Sequence, residues 1–160
     1  LSNTSTSNTF AWNGAPDATG YEVYQGTSPS DPKKKKIGDT ENTYFTNSNK
    51  PTGTMYKYMV RAYSDASGKR VYGDYSDVFT TCTLPANVSF SLCSTDVDSI
   101  TLNWNKVSKA TGYQVEMYTT GTWKTLSTIS GTSSTESDLS QKTANRFRVR
   151  AIRKYNYINY

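Results

Sequence analysis

Histidine is absent from the 160 residues, and cysteine occurs only twice. The first absence removes the commonest general base and the commonest metal ligand. Cys82 and Cys93 stand eleven positions apart. On an extended strand they would lie roughly 30 Å from one another, beyond disulfide reach unless the chain bends sharply near Pro85. The sequence therefore predicts no bridge between them, and with no His partner neither is expected to act as a nucleophile. Long apolar runs are also missing, and no leader pattern opens the sequence. The expectation is a soluble chain without membrane insertion. Hydrophobic residues reach only 34% and charged residues 19%, both low for a globular chain. No segment keeps a helical period.

Tyrosine is abundant, with 13 copies beside three Trp and five Phe, and Ser, Thr and Asn fill much of the remainder. That mixture suits polar-faced antiparallel strands joined by turns. The net charge is +5. Apart from Lys33 to Lys36 the basic residues are scattered, and no nucleic-acid motif accompanies them, so no nucleic-acid partner is expected. A weak attraction to anionic cell-wall polymer stays open. The four lysines read first as protection of an edge strand against pairing with another sheet.

One stretch occurs twice. Thr9 to Tyr24 is matched by Thr101 to Glu116, with Trp12 and Trp104, and Tyr21 and Tyr113, each 92 positions apart. A repeat this long marks one structural unit used twice. The expected units are residues 1–82 and 83–160, joined by a short linker stiffened at Pro85 that limits swing between them. Alternation places Trp12, Tyr21, Val23, Tyr56, Tyr58 and Val60 in one core, with Trp12 at its centre. Trp104, Tyr113, Val115, Phe147 and Val149 form the other, centred on Trp104. A strand is expected over Ala86–Leu92. Ser64–Arg70 reads as a hairpin loop, and the strand after it as broken near Gly73. Short strands with turns about every ten residues indicate an all-β sandwich.

The two Trp positions, the Ala-Thr-Gly-Tyr-x-Val runs at Ala18–Val23 and Ala110–Val115, and the x-Val-Arg-Ala runs ending at Ala62 and Ala151 resemble the fibronectin type III family, with a bacterial cast at Tyr72–Ser76. The resemblance covers nearly the whole chain. It implies two immunoglobulin-like sandwiches in series, strands A, B and E facing C, C′, F and G. It also implies that the Tyr56 hydroxyl ties back to its neighbouring loop. Asn145 stands at the matching place, so the second unit should have the less firmly fastened corner. Aligned on each other, the first unit lacks strand A and the second most of strand G. Two explanations stay open: a stretch of a longer array, or strands supplied by neighbouring subunits.

No catalytic, cofactor or metal site is expected. Asp74 with Asp77, and Asp96 with Asp98, sit in turns that favour Asp for local hydrogen bonding. Neither pair has the oxygens of a calcium loop or the cleft of a glycosidase. Arg-Gly-Asp is absent. Asn3-Thr4-Ser5 and Asn87-Val88-Ser89 fit the N-glycosylation pattern, which matters only in a suitable host. The remaining lead is a set of tyrosines on outward or loop positions: Tyr24, Tyr63, Tyr118, Tyr155, Tyr157 and Tyr160. With Lys34 and Lys35 they are the candidate contacts for a polysaccharide or protein partner, although cross-strand pairing on a solvated face is the first reading. The function expected from the resemblance is a non-enzymatic extracellular spacer, flanked by other domains of the same polypeptide or by neighbouring subunits. Two alternatives remain: a polysaccharide or cell-wall binding module, and a filament segment assembled through open sheet edges.

Overall fold

A computed structural model describes residues 2–26, 35–66, 68–141, 144–156 and 158–160. All of its regular structure is β. The chain divides into two compact units, Leu1–Thr83 and Leu84–Tyr160, one residue beyond the boundary expected from sequence.

In the first unit, β1 (Ser2–Asn3), β2 (Asn8–Ala11) and β5 (Tyr44–Asn47) form one sheet. The second sheet orders β4 (Lys35–Thr40), β3 (Gly20–Gly26) and β6 (Met55–Ala66). The far edge of β6 then carries β7 (Lys69–Tyr75) along one half and β8 (Phe79–Cys82) along the other. The loop expected over Ser64–Arg70 is mostly strand. β6 runs to Ala66 and β7 begins at Lys69, and Gly68 has φ +76°, where a residue without Cβ is at ease. At Gly73 and Asp74 the pairing with β6 shifts register, as expected there, but β7 runs on to Tyr75 and the gap between strands falls at Ser76–Val78.

The second unit repeats the plan. One sheet orders β13 (Ser133–Glu136), β10 (Ile100–Asn103) and β9 (Ser94–Thr95), and the other β12 (Thr122–Ile129), β11 (Gly112–Thr119) and β14 (Arg146–Ile152). A small hairpin, β15 (Lys154–Tyr155) and β16 (Ile158–Asn159), follows. The strand expected over Ala86–Leu92 is reduced to a single bridge, Phe90 to Trp104, with Ser91 N–H on Asn103 and Asn105 N–H on Ser89.

The duplication reaches local geometry. Asp17 and Lys109 hold matching left-handed turns at φ 58° and 62°. The Tyr21 hydroxyl accepts the Ala15 N–H at 2.9 Å, and Tyr113 accepts that of Val107 at 2.8 Å. The tyrosine of the repeated motif thus fastens the turn that precedes its own strand, satisfying a backbone donor that would otherwise be stranded. Both third strands carry a bulge at the same place, between Val23 and Tyr24 and between Val115 and Glu116.

The cores differ from the expectation in one respect. Trp104 is 3% exposed and central, but Trp12 is only partly buried at the margin, edge-on to Tyr21. β2 ends at Ala11, and the ring at Phe10 takes the centre, stacked on the fully buried Tyr58 at 4.4 Å. The second unit has Leu102 where the first has Phe10, which leaves room for its Trp. Tyr21, Val23, Tyr56, Val60, Tyr113 and Val115 are buried, whereas Phe147 and Val149 are half-buried. Cys82 is buried, Cys93 is exposed, and neither is in a disulfide.

Candidate functional site

The richest polar constellation lies on the outer face of the β4–β3–β6–β7 sheet. It is centred on Glu22, whose side chain is only 4% exposed. Pleating turns Glu22 and Tyr24 away from the core, and the register sets Glu22 opposite Arg61 on β6 and Asp39 on β4. The carboxylate accepts the Tyr24 hydroxyl at 2.6 Å, Lys36 Nζ at 2.7 Å, Arg61 Nε at 2.9 Å and the Tyr72 hydroxyl at 3.2 Å. Burial pushes the Glu22 carboxyl upward, but bonds from Lys36, Tyr24 and Arg61 outweigh it and hold the pKa at about 2. Burial, and then the Glu22 carboxylate it donates to, pushes the Tyr24 hydroxyl upward.

Arginines roof this face. The Arg61 guanidinium lies 3.7 Å over the Tyr72 ring and 5.0 Å from that of Tyr75, and Arg70 lies 3.6 Å over Tyr63. Two of the tyrosines expected as exposed contacts are therefore covered: Tyr24 is 9% exposed and Tyr63 6%. Cation–π contacts and cross-strand aromatic pairs occupy their faces, so neither offers a stacking surface.

The second unit carries a simpler version. Arg150 Nε donates to Gln114 Oε1 at 2.6 Å, in the same register as Arg61 and Glu22. One step along, Arg148 Nε donates to the buried Glu116 at 2.6 Å, and this bond chiefly lowers the Glu116 pKa. Arg148 also lies 4.3 Å over Trp123, which meets Tyr118 edge-on at 5.3 Å. Tyr118, 40% exposed, remains available. Tyr155 and Tyr160 are half-buried, and Lys35 is exposed on β4 opposite Gln25. Lys34 and Tyr157 lie outside the described residues.

The Glu22 centre was not read from sequence. Its signal was the outward parity of Glu22 and Arg61, but the pairing needs the register between β3 and β6. Trp123 was likewise unread, although Tyr118-Thr119-Thr120-Gly121-Thr122-Trp123 is a short hairpin that sets the two rings opposite each other.

The four aspartates considered for chemistry do not converge. All are exposed; Asp96 accepts the next N–H in its own turn, and the Asp98 carbonyl accepts the Leu139 N–H. Among the described residues no three of His, Cys, Asp and Glu approach closely enough to hold a metal. Two hollows open in the second unit. One, about 580 Å³, lies between residues 84–88 and Val149–Ile152. The other, about 230 Å³, is bordered by Asn145, Phe147, Ile100 and Leu139. In the first unit the ring of Tyr56 stands in the place of Asn145; it is buried, hydrogen-bonded to Thr54 and faced by the Lys50 ammonium at 5.7 Å.

No protein-family profile matches the chain, and no curated protein matches it in sequence. Solved structures of similar shape include the chicken CNTN1 FN1–FN3 domains, at 17% identity and a TM-score of 0.47, covering 94% of this chain and 58% of that one. They also include a two fibronectin type III domain segment from chicken tenascin, at 18% identity and a TM-score of 0.46, covering 97% and 89%. The strand order and register of the chain itself carry the conclusion that each unit is an antiparallel, immunoglobulin-like β arrangement.

Proposed function

We propose that the chain is a non-catalytic structural pair of fibronectin type III-like modules, belonging to a larger extracellular protein of bacterial type and spacing its other domains. The observation that carries this reading is the fate of the outer-face polar groups. Glu22, Tyr24, Arg61, Arg70 and Tyr72 are engaged with one another, and they join cross-strand neighbours instead of converging on an open site. Groups paired in this way stiffen a sheet and offer a ligand little. A spacer needs shape and resistance to extension, and unfolding such a sheet breaks many ladder bonds together.

Force spectroscopy on the full chain tests the proposal. Two separate unfolding steps are expected, each releasing roughly 26–28 nm of chain. A gradual, stepless extension would overturn it. A glycan array supplies the competing outcome. Reproducible binding that disappears in Tyr118→Ala or Tyr155→Ala would move the assignment to a polysaccharide-binding module.

A further inference from the structure

The turn after the repeated tryptophan follows the same plan in both units with different residues. Trp12-Asn13-Gly14-Ala15 of the first unit matches Trp104-Asn105-Lys106-Val107 of the second. In both, the last of the four donates its N–H to the hydroxyl of the repeated tyrosine, Tyr21 or Tyr113. Nothing in the fold calls for glycine at position 14. Its φ lies outside the left-handed region, and a Cβ there would meet Thr43 Cγ2 and the Tyr21 hydroxyl at 3.6 Å, an ordinary contact. Lys106 shows that the matching place accepts a long side chain. Yet Asn13-Gly14 is the one Asn-Gly step in the sequence, and asparagine is a chemically labile residue. Both residues are exposed, in the irregular stretch between β2 and β3. Among the described residues, neither the Asn13 carboxamide nor the Gly14 N–H has a hydrogen-bond partner. Asn47 is the contrast. The small Ser48 follows it, but its amide is buried and donates to the Gln25 carbonyl and the Tyr58 hydroxyl.

We propose that Asn13 is a site of spontaneous deamidation, with water as co-reactant and with no counterpart at Asn105. A side chain on the following residue hinders the approach of that residue's nitrogen to the carboxamide carbon. Glycine removes the hindrance and widens the choice of backbone conformations. The Gly14 nitrogen gives its proton to solvent base and attacks Asn13 Cγ. The new N–Cγ bond closes a cyclic imide, and the side-chain nitrogen leaves as ammonia. Water then adds to either imide carbonyl. Opening at Cγ leaves aspartate on the original main chain. Opening at the main-chain carbonyl leaves an isoaspartyl link, in which the chain runs on through Cβ and Cγ. Water is consumed and ammonia released in equal amounts, with no change of oxidation state. Either product puts a carboxylate where a neutral amide stood. The isoaspartyl form also lengthens the main chain between two fixed points, the Trp12 N–H on the Thr43 carbonyl and the Ala15 N–H on Tyr21. The turn beside Trp12 therefore loosens as the protein ages. This holds whether or not the modules serve as spacers.

The test holds the full chain at physiological temperature in buffers of rising pH. Timed digests are resolved by chromatography and mass spectrometry. The peptide carrying Asn13 should convert to a mixture of aspartyl and isoaspartyl forms, at least several-fold faster than the peptide carrying Asn105. The conversion should quicken as pH rises, because the attacking nitrogen must lose its proton. Gly14→Ala should slow it at least several-fold. An Asn13 peptide that keeps its amide, equal rates at Asn13 and Asn105, or equal rates with and without Gly14→Ala would overturn the proposal. The comparison of Asn13 with Asn105 uses the unaltered chain, so it decides the matter even where the variant folds poorly.

Discussion

The same three positions are polar in one unit and mostly apolar in the other. In the first, Asn8 and Asn47 face each other across β2 and β5, and both donate to the Tyr58 hydroxyl, at 3.2 and 3.0 Å. In the second, the equivalent positions are Ile100 and Glu136, opposite each other across β10 and β13, with Phe147 in place of Tyr58. The Glu136 carboxylate turns to Ser134 instead. The tyrosine hydroxyl is present where its amide partners are present, and gone where they are gone. A buried polar network is worth having when its members satisfy one another and costs stability when it is partial. The fold tolerates either solution because the β register, not the identity of these side chains, is what the repeat preserves.

The largest contrast should come from the two tryptophans. Trp104→Ala empties a fully buried site and should destabilise its unit by about 3–5 kcal/mol, whereas Trp12→Ala, at a half-buried margin, should cost about half as much. Denaturant titration of each variant of the full chain, followed by residue-resolved probes in each unit, measures the difference. Equal losses would put Trp12 at the centre after all.

Next in size is the pair of buried carboxylates. Glu22 receives four side chains, while Glu116 rests mainly on Arg148. The Glu22 pKa is held below its unfolded value, so its contribution is complete above about pH 4.5 and is lost as pH falls through the folded value of about 2. The shift corresponds to about 3 kcal/mol at most. The first unit should therefore lose stability between pH 4.5 and 2, and Glu22→Gln should flatten that slope by removing the titrating group. An unchanged slope in the variant would mean that other acids control this range.

Tyr58→Phe should cost the first unit about 1–3 kcal/mol, because it removes the acceptor of the buried Asn8 amide and one of the two bonds of Asn47, whose other goes to Gln25. Combining it with Asn8→Ile should return part of the loss, as the second unit achieves with Phe147 and Ile100. A double variant no better than the sum of the singles would deny the coupling.

The parts legible in the sequence were those fixed by spacing within one strand. Tyr21 with Val23 and Tyr113 with Val115 follow from alternation alone, and the repeat of Trp and Tyr separated the chain into two units. What was not legible depends on neighbours distant in sequence. Tyr24 and Tyr63 do lie on the outer face, as their parity requires, but they are buried because β7 folds back and lays Arg70 and Tyr72 against Tyr63 and Tyr75 against Tyr24, beside Arg61. Trp12 yielded the centre to Phe10 because a ring stands there where the second unit has the smaller Leu102, a competition for volume that alternation does not report. The Glu22 centre required a register across three strands.

The smallest effect concerns the corner where Tyr56 is replaced by Asn145 and a 230 Å³ hollow remains. Asn145→Tyr should stabilise the second unit by about 1 kcal/mol through cavity filling. A loss would show that this loop cannot admit the ring.

The central claim is that one β plan is used twice, and that among the described residues β6 carries a strand along both edges whereas β14 carries one along a single edge. Amide hydrogen exchange on the intact chain tests it most directly. The amides of Tyr58 and Val60, which face β8 and Ser76, should exchange only on unfolding of their unit, whereas those of Phe147 and Val149 should exchange faster by at least about tenfold at the open edge. Equal protection at the four positions would contradict the account.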